Sequence, residues 1–283
     1  MTAININSKT IALPTELASE IITTMQEESA VMKLARQIAL PGNGLTIPVI
    51  TGDPEAEWVN ETEEKPVKRP GLDTKQMSAY TLAVIVPFSN QFRNNAQALY
   101  NEIVKRLPGA LGKKFDSTIF GGTAPGSNFD TLTNATAQSL GSDPYAALVA
   151  ADGDVADHDG ITNGFVISPK MKSALLGAKD STGRPLFINS VAEGAVPMIL
   201  GAPTYQSKGA FKAGSPNQLG FAGDWTHAIY GVAQSLNISI SDQATLTDGE
   251  TTINLWQRNM FAVRAEIEVG FVADVTKFNR ITA

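Results

Sequence analysis

The chain has 283 residues, 43% of them hydrophobic, and carries a net charge of -6 with only 18% charged residues. That content suffices for one large or two smaller packed cores and excludes a disordered chain, while the acidic balance excludes the overall basic footprint of a dedicated nucleic-acid binder. Cysteine is absent, which removes disulfides, thiolate metal sites and cysteine nucleophiles together and is compatible with a reducing cytoplasm.

Met1 to Lys9 are polar with alternating Ile4 and Ile6; they lack the basic start and apolar run of a secretory signal and suggest an extended arm. Pro14 and Thr15 predict a helix start, with Leu17, Ile21, Met25 and Met32 at helical spacing behind them. Leu40 to Gly44 stops that helix. Leu45, Ile47 and Val49 then alternate with Thr46, Pro48 and Ile50 as a short strand that the proline confines to an edge.

Residues 51 to 75 hold seven carboxylates and four basic residues, with only Trp58, Val59 and Leu72 as sizeable apolar side chains. Such a stretch cannot build a core of its own. Tyr80, Leu82, Val84 and Val86 alternate after it, so two strands are expected to flank the charged segment as an extended hairpin that needs a partner to lie on.

From Ser89 as N-cap, Phe92, Ala96, Leu99, Ile103 and Leu107 recur every three or four residues, and Leu111, Phe115 and Ile119 continue the stripe. A long helix is predicted, bent or restarted at Pro108 and ended by Gly121 and Gly122. The Gly-, Thr- and Asn-rich run to Gly141 is the natural boundary between two lobes. The second lobe reads as mixed α/β: a helix near Pro144 to Ala151, a strand at Phe165 to Ile167, and a helix capped by Ser168 with Pro169 at its first position. Strands are expected at Leu219 to Ala222 and His227 to Ile240, and a last one places Phe261, Val263, Ala265, Ile267, Val269 and Phe271 on one face against Arg264, Glu266 and Glu268. No segment approaches the length of a membrane-spanning helix and no internal repeat is present.

Constellations that could carry chemistry resolve into plainer readings. Asp152, Asp154, Asp157 and Asp159 resemble a cation loop but fail EF-hand spacing, since Asp157 stands where glycine is required. GGTAPGS at Gly121 to Ser127 lacks the lysine and hydroxyl residue of a phosphate loop and reads as a turn. His158 and His227 are the only imidazoles, no G-x-S-x-G elbow accompanies them, and the Arg264, Glu266 and Glu268 face reads as paired surface charge. No catalytic residue, cofactor or metal ligand is expected.

The order of elements, together with SAVMKLAR at Ser29 to Arg36, AEWVNE at Ala56 to Glu61, FDSTIFGG at Phe115 to Gly122, GDWTHAIY at Gly223 to Tyr230 and EVGFVADVTKF before Asn279, resembles the Hong Kong 97 type of tailed-phage major capsid protein. KDSTGRPL, following the helix after Ile167, belongs to the same pattern. The resemblance implies an α+β fold: an N-terminal arm and first helix at 1–49, an extended loop hairpin at 50–87, the long helix of a peripheral domain at 88–135, an axial domain at 136–255, and a C-terminal strand at 256–283 returning to the peripheral domain. It implies a virion shell of pentamers and hexamers assembled in the bacterial cytoplasm, with portal and scaffolding proteins as partners, no membrane, and packaged double-stranded DNA touched only weakly. Many members carry a scaffolding segment ahead of the shell-forming sequence, which here begins almost at Met1, so a removed segment or a separate scaffolding protein is expected.

The inter-subunit contacts expected in the hairpin are Trp58 as apolar anchor with Glu57, Glu61, Glu63 and Glu64 on the acidic side. Lys65, Lys68, Arg69 and Lys75 form the basic side. Lys65, Lys68 and Lys75 are also possible donors for the lysine-to-asparagine crosslink that some members form, with an ordinary surface lysine as the alternative. Two other functions are carried forward: an encapsulin-type protein nanocompartment on the same fold, and a small-ligand α/β enzyme.

Overall fold

The computed structural model describes residues 25, 26, 29–42, 44–52, 57–61, 64, 65, 67, 71–91, 96–178, 198–249 and 251–283. The expected arm, and most of the helix expected from Pro14, lie outside them. What is described begins with a short helix, α1 (Ala30–Leu34), capped by Ser29, whose side chain accepts from the Met32 amide. Strands β1 (Arg36–Ala39), β2 (Leu45–Gly52), β3 (Gly71–Met77) and β4 (Tyr80–Ser89) follow, then the long helix α2 (Ala96–Gly121). Helix α2 continues through Pro108 without a restart.

Beyond it come β5 (Thr136–Ser139), α3 (Pro144–Asp157), β6 (Gly164–Ile167), α4 (Pro169–Gly177), β7 (Met198–Ile199), β8 (Ala202–Gln206) and β9 (Gln218–Gly223). The chain closes with β10 (Ala228–Ser241), β11 (Thr245–Asp248), β12 (Thr251–Asn254), β13 (Met260–Ala273) and β14 (Phe278–Thr282). The predicted caps form as expected at α4, where Ser168 accepts from the Met171 amide and Pro169 takes a position with no amide to lose.

Two sheets organise the molecule. A four-stranded sheet has the order β1-β10-β13-β4, and a six-stranded sheet the order β5-β14-β9-β6-β8-β7. Strands β11 and β12 form a separate hairpin, as do β2 and β3. The alternation read along β13 is realised: Phe261, Val263, Ala265, Ile267, Val269 and Phe271 are all buried, and they join α2 residues Leu107, Leu111, Phe115 and Ile119 in the main core.

The same core reaches across α2 to one face of the six-stranded sheet, through Val166, Phe221, Trp225 and Phe278. The opposite face of that sheet has its own core, in which Phe165, Ile167 and Ile281 meet Leu148 and Ala151 of α3 and Met171 and Leu175 of α4. Alternate side chains of β6 therefore point to different cores, as strand geometry requires.

The two sheets are joined twice by the same device. Strand β9 passes into β10 through a turn, Trp225–His227, capped by Asp224, whose carboxylate accepts from the Thr226 amide; β13 passes into β14 through Val275–Lys277, capped by Asp274 accepting from the Thr276 amide. The crossings run in opposite directions and bond to each other, the Asp224 amide donating to the Lys277 carbonyl at 3.0 Å and the Asp274 amide to the His227 carbonyl at 3.1 Å. Because β9 pairs with β14 and β10 with β13, a single antiparallel ribbon runs through both sheets. Trp225 fills the bend, its indole N–H donating to the Gly164 carbonyl and its ring 5.1 Å from that of Phe278.

Three features differ from the sequence expectation. The strand opposite β2 is β3, within the charged stretch, with Leu45 facing Met77 and Pro48 facing Thr74; Tyr80–Ser89 instead pairs with β13. Residues 256–283 carry two strands, of which β13 joins β4 and β10 while β14 inserts between β5 and β9. Strand β1, absent from the sequence reading, lies parallel to β10.

Candidate inter-subunit contact site

The β2–β3 hairpin leaves the body with a firm root and a bare tip. Gly44, at φ +81°, makes the turn that starts it, and a Cβ there would stand 2.8 Å from the Met77 carbonyl oxygen. At the root, Met77 is fully buried with Leu40 and Val272, and Leu45, Ile47 and Ala79 pack on them. The eight residues of β2 reach about 26 Å at roughly 3.3 Å per residue, so the arm is long compared with this small cluster.

Lys75 completes the root. Its ammonium donates to Asp130 at 2.9 Å and to the Ala273 carbonyl at 2.8 Å, while the Ala273 amide donates to the same carboxylate. Lys75 is thus engaged within its own subunit, tying β3 to the end of β13.

The tip is another matter. Trp58 is 103% exposed, so its indole has no cover from the rest of the chain. Glu57, Glu61, Glu64 and Lys65 are exposed around it, as is Val67. Glu63, Lys68 and Arg69 lie outside the described residues. Burying a large apolar side chain gains roughly 1.5–3 kcal/mol, which Trp58 does not gain within its own chain. Trp58, Glu57, Glu61, Glu64 and Lys65 are thus all exposed, whereas Lys75 is engaged at the root.

A second polar feature, not anticipated from the sequence, lies inside. Asp116 of α2 is 1% exposed, and each of its carboxylate oxygens receives two donors. The Ser29 hydroxyl (2.6 Å) and Val31 amide (3.4 Å) reach one oxygen, the Ser207 hydroxyl (2.7 Å) and Ala30 amide (3.1 Å) the other. The two hydroxyls accept in turn from the amides of Met32 and Gly209, which fixes their protons on the aspartate. Burial pushes the Asp116 carboxyl above the ordinary aspartate range and the four donors only partly oppose it. The cluster joins α1, α2 and the turn Lys208–Ala210 after β8. Its one sequence signal was the polar residue interrupting the apolar stripe of FDSTIFGG.

The remaining sequence candidates fall in structural settings. Asp154 accepts from Asn279, Asp152, Asp157 and Asp159 are exposed, and Arg264 pairs with Glu266 at 3.3 Å on the open face of β13. His227 lies 3.3 Å from Asp224; burial alone would raise the Asp224 carboxyl, but the hydrogen bonds from Thr226 and Ile161 outweigh it and hold it below the ordinary range. Among the described residues no three His, Cys, Asp or Glu side chains are grouped to hold a metal ion, and no helix is long and apolar enough to cross a membrane.

Known proteins resemble this arrangement over nearly its whole length. The model of the phage capsid family matches residues 10–277. A protein of Mycobacterium phage D29 named as a probable major capsid protein is 28% identical over 277 residues, covering 92% of this chain and 86% of the relative. Among solved structures, a chain from Mycobacterium phage Ogopogo superposes with a TM-score of 0.72 at 18% identity, covering 90% of this chain and 92% of that one. A capsid of an empty GTA particle, computed with C5 symmetry, superposes with a TM-score of 0.65 at 16% identity over 97% and 93%.

Proposed function

The chain belongs to the phage capsid family, and from that premise we propose how this major capsid protein, built on the Hong Kong 97-like fold, forms its shell. Copies associate into pentamers and hexamers that close an icosahedral head. The four-stranded sheet with α2 serves as the peripheral domain and the six-stranded sheet with α3 and α4 as the axial domain near the capsomer axis. The role is structural; with no cysteine and only two histidines, the chain offers little to catalysis.

The observation that carries the contact mechanism is the fully exposed Trp58 at the tip of a hairpin whose buried residues, among those described, lie at its root. In the shell the hairpin lies across a neighbouring subunit, Trp58 enters an apolar pocket there, and Glu57, Glu61, Glu63, Glu64, Lys65, Lys68 and Arg69 set its register by charge. Lys75 holds the arm at its base. A shell gains from many such modest contacts at once, and each alone stays weak enough to correct errors during closure. Portal and scaffolding proteins complete the head, double-stranded DNA is enclosed, and assembly takes place in the bacterial cytoplasm.

Trp58→Ala tests this. Its side chain is fully exposed, so the melting temperature should stay within about 2 °C of the unmodified chain. Assembly should suffer instead, with sedimentation shifting from shells to capsomers and free subunits. Normal shells from both Trp58→Ala and a variant lacking residues 53–70 would refute the proposed contact.

A further inference from the structure

The net charge of -6 conceals a segregation of charge. Three stretches meet around Asp116: residues 29–39, 107–124 and 205–218. Their cations are Lys33, Arg36, Lys113, Lys114, Lys208 and Lys212, all exposed, and their one carboxylate is Asp116, which is buried.

The packing sets Lys208 and Lys212 beside the helix that carries Lys113 and Lys114. Gly209 sits so close to α2 that a Cβ would stand 2.9 Å from the Ser117 amide nitrogen, which sets Lys208 beside the helix; Lys113 and Lys114 stand one turn back from Ser117 on the same exposed side. Lys212 lies along the end of the helix, 2.9 Å from where a Cβ on Gly121 would be. Across the Asp116 cluster, the Lys33 ammonium sits 5.6 Å from the centre of the Tyr205 ring, two residues ahead of Ser207. Lys170 of α4 extends the surface around the sheet edge, its ammonium 4.0 Å from the ring of Phe211.

Several exposed carboxylates among the described residues lie apart from these stretches. Asp152, Asp157 and Asp159 lie on or just beyond α3, on the opposite face of the six-stranded sheet, and Glu57, Glu61 and Glu64 lie at the hairpin tip. Resting on the reading of the chain as a shell subunit that encloses double-stranded DNA, we propose that the surface where α1, α2 and the turn Lys208–Ala210 meet faces the enclosed duplex and binds its phosphate backbone without sequence preference.

The chemistry fits that ligand. From Lys113 to Gly121 the helix rises about 12 Å, the span of roughly three or four phosphates along one strand. Lysines supply mobile point charges and no fixed fork for reading bases, so they hold a backbone without choosing a sequence. An acidic subunit with such a basic face binds weakly per copy and gathers its contact over many copies, which lets the duplex slide during filling.

The test measures binding of the full-length chain to a fluorescent DNA duplex of arbitrary sequence by anisotropy over a salt series. The unmodified chain should show a log–log salt slope of about -3 to -4, close to a hundredfold weakening from about 50 to about 200 mM salt. The variant K113A/K114A/K208A should be shallower by about 2 to 3 units of slope with an unchanged melting profile, whereas D152N/D157N on the other face should keep the slope. A flat salt response, or the same slope in the triple variant, would overturn the proposal. So would tighter binding of a polyglutamate of matched charge, which would make an acidic protein the occupant. Electron microscopy of the same preparations reads shell formation separately: missing shells from the unmodified chain count against the shell subunit itself, and shells with no salt-dependent binding count against this surface alone.

Discussion

Asp116 presents two acceptor oxygens and no donor to a site that aims four donors at it, so hydrogen bonding favours its charged form while burial at 1% exposure opposes it. Burial wins, and the folded-state pKa stands above the unfolded value near 3.8. The stability that this group contributes is therefore fullest below the unfolded pKa and declines as pH rises through the raised folded value. Asp116→Asn places an amide N–H where Ser207 or Ser29 already donates, and should cost about 1–3 kcal/mol. Urea unfolding between about pH 4 and about pH 8 should show the advantage of aspartate over asparagine shrinking as pH rises; an advantage that grows instead contradicts the assignment. Asp224 has the opposite sign, since its lowered pKa adds stability above the unfolded value that is lost as pH falls through the folded one.

At the scale of elements, the turn Lys208–Ala210 couples the six-stranded sheet to α2 through a glycine with no room for a methyl group. Gly209→Ala would bring its Cβ against backbone on the helix, and lifting the turn away should cost about 1–3 kcal/mol, read as a lower urea midpoint with an unchanged slope. This coupling could not be read from the sequence, because a glycine after Ser207 and Lys208 looks like any loop residue until the helix lies against it. Elements set by local signals were legible: the alternation from Phe261 to Phe271, the Ser168 and Pro169 start of α4, and the apolar stripe of α2. The hairpin partner was misread because Leu72 to Gln76 has no apolar alternation; β3 is a strand by virtue of the ladder that β2 offers it. Pro108 was read as a bend or restart, and the helix does not restart there. Of the proposed contact site, the charge and exposure of the tip with Trp58 were legible from composition, whereas the inward role of Lys75 depends on Asp130 and Ala273, far away in the chain.

For the whole molecule, two of the strands missed from sequence have remote partners. Strand β1 is four residues lying parallel to β10, and β14 is five residues placed between β5 and β9, so neither has a local pattern strong enough to announce it. Removing residues 278–283 should be far more damaging than loss of a loose tail, because it takes an inner strand from the six-stranded sheet and leaves β5 without a neighbour. We expect that truncation to lose near-ultraviolet circular dichroism and to be cleaved rapidly by protease between residues 136 and 223; a native spectrum from the truncated chain would contradict the topology. The ribbon that crosses between the sheets has a further mechanical meaning. Its two crossings run in opposite directions and bond to each other at Asp224 and Asp274, so a pull separating the lobes is shared by two covalent strands and cannot unzip one before the other. Such a ribbon resists separation of the two sheets as paired braces do, where a single tether would give way at its weakest bond.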